Sequence, residues 1–132
     1  MSFLLDTNIV SAHLRRPAGL THRFLQHSGR LAVPTLVLAE LYAWAYGRDN
    51  PTSVLDKIRS LRSEVRVLTF EEEAAERFGI IQNQLLRQGI TVSPVDLMIG
   101  AVALVNDLTL VTHNTKDFQN IPDLRLQDWL IA

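Results

Sequence analysis

Strand-sized apolar runs that alternate with longer helical patterns set the tightest limit on how this chain can fold. Ser2–Leu5 (SFLL), Leu31–Val33, Val65–Leu68, Leu108–Val111 and Leu124–Leu126 read as short strands. Between them, Asn8–Arg15 is a helical pattern that stops before Pro17, and Leu20–His27 is a second, closed by Ser28-Gly29. Leu36–Tyr46 is apolar nearly all round, and Val54–Leu61 carries a helical stripe at 54, 55, 58 and 61. A long helix opens at Phe70 and runs to about Arg87, with Gly89 as its stop, and another starts at Ser93-Pro94 and runs through Asn106. Thr112–Lys116 reads as a polar loop and Asp117–Asn120 as a helical turn. This alternation predicts a three-layer α/β domain on a parallel sheet. Crossovers in such sheets are right-handed, so the carboxyl ends of the strands open on one edge. No repeat, low-complexity run or linker interrupts the pattern, so residues 1–132 read as a single domain.

Composition narrows the chemistry. The chain has no cysteine, which removes disulfides, thiolate metal sites and cysteine nucleophiles. Thirteen basic against fourteen acidic side chains give a net charge of −1, so bulk charge does not announce nucleic-acid binding. No apolar run approaches the roughly 18 residues that span a membrane. The first residues lack a basic leader with a cleavage site, and a cytoplasmic protein without membrane attachment is expected.

Carboxylates then stand where they need a reason. Asp6 follows the first strand in MSFLLDTNIV, where it serves either as a helix cap or as a functional acid at a strand's carboxyl end. Glu40 is the only charge in LVLAELYAWAY, and burying it without a partner or a cation would be costly. The bland alternative puts it on a solvated stripe or against an arginine. Asp96 is the only charge in SPVDLMIGAVALV, near a helix N-terminus that itself favours an anion. Asp117, in THNTKDF, also fits an ordinary helix start. Carboxylates gathered within about 5 Å raise one another's pKa values, a conflict that a divalent cation resolves. All-oxygen clusters select Mg²⁺ or Mn²⁺, which can activate water and steady the leaving oxygen in phosphodiester cleavage.

The segments FLLDTNIVSAHL, VPTLVLAELYAWAYG, VSPVDLMIGAVAL and LTLVTHNTKDFQNIPDLRLQDW together resemble the PIN domain, in particular VapC-type toxin ribonucleases. The resemblance implies a parallel five-stranded sheet flanked by helices and a Mg²⁺- or Mn²⁺-dependent endoribonuclease. It matches Asp6, Glu40 and Asp96 to the three invariant acids and Thr112 to the hydroxyl that supports the first Asp. Asn114 stands where many members place a fourth acid, so Asp117 is expected to take that part, with Asn114 a neutral contact to metal-bound water. Asp6 and Asp96 are then expected to ligate the main ion, with Glu40 sharing it or holding a water. Asn8 either orients Asp6 through a hydrogen bond or caps the helix start. Ser93 is expected to act as an N-cap.

Arg15, Arg16 and Lys116 are the candidate phosphate contacts, and His113, beside the acids, is a candidate RNA contact. His22 and His27 share no helical face and are expected to be solvated. Tyr42, Trp44 and Tyr46 exceed what one helix needs for a core and suggest a groove or a dimer surface. The resemblance implies both a homodimer and a cognate antitoxin lying across the site. Two other classes begin from an Asp after the first strand: aspartyl-phosphate phosphatases and receiver-like regulatory modules. The first would want an Asp where Asn8 stands, and the second lacks its usual acid pair, although Lys116 could serve as its lysine. Neither accounts for Glu40.

Overall fold

The structure, a computed structural model, describes residues 1–131, the Pro17 side chain excepted. Strands β1 (Phe3–Leu5), β2 (Leu31–Pro34), β3 (Arg66–Leu68), β4 (Thr109–Val111) and β5 (Leu126–Gln127) form one five-stranded sheet in the order β3-β2-β1-β4-β5. Every pairing is parallel. The inner strands β1, β2 and β4 are buried throughout, as a parallel sheet covered on both faces requires.

Helices α1 (Thr7–Arg15), α2 (Thr21–Gln26), α3 (Thr35–Tyr46) and α4 (Thr52–Glu64) lie in the connections that carry the chain from β1 outward to β2 and β3. Helices α5 (Glu72–Arg87) and α6 (Pro94–Val105) carry it back across to β4, and α7 (Thr115–Phe118) joins β4 to β5. Right-handed crossovers therefore place the two groups on opposite faces. The direction of winding reverses between β1 and β4, and the crevice outside the carboxyl ends of two such strands is where open α/β sheets bind ligands.

Three sequence expectations shift. The last strand is Leu126–Gln127 rather than Leu124–Leu126, because Leu126 pairs with Leu110 and Gln127 with Val111. Leu124 instead packs beneath α6, close to Gly100. The helical turn is Thr115–Phe118 rather than Asp117–Asn120. The Asp117 amide donates to the Asn114 carbonyl at 3.0 Å, and Phe118 drops fully into the core. A 3₁₀ turn at Pro17–Gly19, unexpected from the sequence, links α1 to α2.

Candidate active site

Asp6 is where β1 becomes α1, and its carboxylate serves both strand and helix. Oδ1 accepts from the Thr7 amide at 2.8 Å, the capping bond of α1. Oδ2 accepts from the Thr112 hydroxyl at 2.8 Å and from Asn8 Nδ2 at 3.3 Å. Thr112 ends β4 and is fully buried, so the two switch-point strands are tied together through this one carboxylate. Asp6 is itself only 6% exposed. Burial raises its pKa, the bonds from Thr112 and Thr7 lower it, and the charges of Asp96 and Glu40 raise it again. The capping reading of Asp6 is met by one oxygen, while the other holds Thr112 and Asn8.

Glu40 is exposed, which corrects the picture of α3 as buried all round. The helix covers the sheet with Val37, Leu38, Leu41 and Ala45 and turns Ala39, Glu40, Ala43 and Tyr46 to solvent. Glu40 Oε1 accepts from the Thr7 hydroxyl at 2.8 Å, and among the described residues no arginine pairs with it. Thr7 is thus the site residue that sequence reasoning passed over. The signal available was its place between Asp6 and Asn8, in a first helical turn that points its hydroxyl sideways.

Asp96 is half-buried in the first turn of α6, where its amide donates to the Ser93 hydroxyl at 3.2 Å, the expected N-cap. Its pKa is raised by burial first, lowered by Ser93, and raised further by the charges of Asp117 and Glu40. Asp117 is exposed on α7. Asn114 is also exposed, and its backbone amide, not its side chain, bonds the Thr112 hydroxyl at 3.1 Å. Of the two parts expected of Asn8 the structure shows the orienting one, with Nδ2 on Asp6, while Asp6 itself caps α1 and Asn8 Oδ1 accepts from the His113 amide at 3.0 Å. Asp6 thus feels the charges of Asp96 and Glu40, and Asp96 those of Asp117 and Glu40. Among the described residues, however, no three His, Asp or Glu side chains stand close enough to share one ion. The candidate donors are all oxygens, and Glu40 and Asp117 are exposed side chains.

The peripheral candidates divide. Arg15 lies two turns along α1 from Thr7, about 12 Å down the helix, and its Nε bonds the Ser11 carbonyl. With Thr7, Ser11, Leu41 and Trp44 it lines a groove of about 240 Å³ between α1 and α3. Arg15 and Arg16 both border a second cavity, of about 530 Å³, with Leu20, Trp129 and Leu130. Lys116 is exposed on α7. Tyr42 and Trp44 are half-buried, whereas Tyr46 is 67% exposed. His22 is exposed as expected, but His27 is not solvated. It stacks on Trp129 with ring centroids 5.4 Å apart and also touches Phe3.

A five-stranded all-parallel α/β sheet in the order β3-β2-β1-β4-β5, with Asp6 where β1 meets α1, is a PIN-type arrangement. The PIN domain family model matches residues 3–124. The chain is 35% identical over 130 residues to the tRNA(fMet)-specific endonuclease VapC of Shigella flexneri, covering 98% of each. The DNA-bound VapBC complex of Salmonella typhimurium superposes with a TM-score of 0.91 at 32% identity, covering 98% of both chains. VapBC-1 of nontypeable Haemophilus influenzae does so with a TM-score of 0.87 at 34% identity, covering 99% of this chain and all of that one. The chain belongs to the PIN-domain family, in its VapC ribonuclease branch. The phosphatase and receiver-like readings give way to it: Asn8 holds Asp6, and among the described residues Lys116 forms no ion pair. Among the described residues no helix is long and apolar enough to cross a membrane.

Proposed function

We propose that this chain is a Mg²⁺- or Mn²⁺-dependent endoribonuclease, the toxin of a toxin–antitoxin pair acting in the cytoplasm. The observation that supports the metal is that Asp6 and Asp96 are both held above the ordinary carboxylate value, by burial first and to a smaller extent by neighbouring carboxylates. A bound divalent ion offsets that repulsion, lowers the pKa of water and stabilises the departing oxygen of a phosphodiester. Asp6, Asp96 and Glu40 would hold it, with Asp117 as the fourth acid.

The chain's own residues do the positioning. Thr112 and Asn8 hold the Asp6 carboxylate against rotation, Thr7 holds Glu40, and the Ser93 cap sets the turn that carries Asp96. Lys116, Arg15 and Arg16 are phosphate contacts along the approaching strand. The Shigella relative acts on initiator tRNA, and a folded tRNA is accordingly the first substrate to offer this chain. The groove between α1 and α3, with Trp44 in its wall, receives the antitoxin, and the outward Tyr46 edge of α3 contributes to a homodimer.

Titration calorimetry with Mn²⁺ on wild type and on Asp96→Asn, followed by tRNA cleavage by wild type and Asp6→Asn, tests the reading. Wild type is expected to bind Mn²⁺ and cut, Asp96→Asn to lose the binding, and Asp6→Asn to lose at least about 10³-fold in rate. Undiminished cutting by a clean Asp6→Asn preparation overturns it.

A further inference from the structure

The outermost imidazole of the site is held more firmly than a surface histidine needs to be. His113 Nδ1 lies 2.9 Å from Asp128 Oδ2, and the Asp128 side chain is only 9% exposed against 53% for His113. The other Asp128 oxygen accepts from the Leu130 amide at 2.8 Å, so the carboxylate is fixed from behind. On the inner side the His113 amide donates to Asn8 Oδ1, and Asn8 Nδ2 donates to Asp6. Two hydrogen bonds thus join the His113 backbone to the first acid of the site. No hydrogen bond among the described residues uses Nε2.

An ionised carboxylate only accepts, so the contact with Asp128 requires the proton on Nδ1. In the neutral ring Nε2 is then left as an acceptor alone. A phosphate oxygen has no proton to offer such an acceptor. A ribose 2′-hydroxyl has, and it is the group that separates RNA from DNA. We infer that His113, oriented by Asp128, accepts a hydrogen bond from a ribose 2′-hydroxyl beside the scissile phosphate and so helps restrict the site to RNA, an inference that rests on the ribonuclease reading. His113 is the substrate contact, and Asp128 is a positioning residue acting through it.

The test uses a single-stranded RNA oligonucleotide cut once in Mn²⁺, together with copies carrying one 2′-deoxy sugar at each position flanking the cut. Wild type is expected to lose about 5- to 10-fold in kcat/KM at one of those positions, the worth of one neutral hydrogen bond. His113→Phe should cut the all-ribose strand more slowly and show no penalty at that position. His113→Gln, whose amide can donate to Asp128 and present its oxygen outward, should restore most of the discrimination. Asp128→Ala should reduce the penalty while its melting temperature stays near that of wild type. A penalty unchanged in His113→Phe overturns the inference while leaving the nuclease standing. So does a His113 effect confined to acidic pH and equal on ribose and deoxyribose, which would mark an imidazolium on phosphate. No cutting of RNA by wild type overturns both readings.

Discussion

Replacing Thr112 by valine removes a hydroxyl and keeps the shape, so its cost isolates the bond that ties β4 to Asp6. The hydroxyl donates to Asp6 Oδ2 at 2.8 Å and accepts from the Asn114 amide at 3.1 Å and Asn8 Nδ2 at 3.4 Å. A hydrogen bond to an ionised group is worth about 1.5–3 kcal/mol. Valine recovers up to about 0.8 kcal/mol by burying a methyl, and the Asn114 amide lies on an exposed residue where water can replace the lost partner. The expected net loss at neutral pH is therefore about 1–2 kcal/mol, or about 3–8 °C in melting temperature. The pH dependence follows from Asp6. Its folded pKa is raised above the usual 3.8, so stability linked to it is fully present below that value and is lost as pH rises through the folded value. The Thr112 bond opposes the rise, and valine sends the folded pKa higher still. The gap between variant and wild type must therefore be widest near neutrality and close to within about 0.5 kcal/mol in acid, where both hold Asp6 protonated. Urea unfolding at about pH 7 and at about pH 3, below the ordinary carboxylate value of 3.8, reads both values, with Thr112→Ser as the control that keeps the hydroxyl. An equal cost at the two pH values, or none at neutral pH, refutes the assignment of Thr112 to the Asp6 charge.

Thr7→Val frees Glu40 from its 2.8 Å tether in an exposed setting, so stability should change by less than about 0.5 kcal/mol while kcat falls about tenfold; Thr7→Ser should retain activity in the same cleavage assay. Gly100 is buried in α6, and a Cβ there would lie 2.8 Å from Ile121 Cδ1 and 3.5 Å from Leu124 Cδ2. Gly100→Ala should be nearly neutral, because the end of Ile121 can swing and alanine gains about 1 kcal/mol in helix propensity. Gly100→Val should cost about 1–3 kcal/mol by overpacking, measured by urea unfolding. A valine variant as stable as wild type would mean that the α6–Ile121 contact is looser than the structure has it.

The elements that were legible in the sequence are those whose signal lies inside one segment. The apolar runs at 3–5, 31–33 and 109–111 form the buried centre of the sheet because a strand covered on both faces has no polar position to spare. The cap at Ser93 and the stop at Gly89, which has φ +70°, were equally plain, since each is a local backbone requirement. The last strand was misplaced because LRL and LQ are equally good short strands on their own. Only the register against Leu110 and Val111 chooses between them. Glu40 was left with two readings for a related reason: LVLAELYAWAY shows how apolar α3 is, but not which of its positions face solvent, and the structure puts Glu40 on the solvated stripe.

The sequence by itself determined the alternation of strands and helices, and it picked out Asp6, Glu40 and Asp96 as acids that a simple core does not explain. It also placed Asp6 at a strand-to-helix junction, where capping alone would suffice. What only the tertiary structure decided is how those acids are held and aimed. Thr7 reaches Glu40 across 33 residues, Thr112 reaches Asp6 across 106, and Asp128 reaches His113 across 15. The physical reason is range. Periodicity and capping act through neighbours a few residues apart, whereas these hydrogen bonds exist only once β1 and β4 pair in register and the winding of the sheet reverses between them.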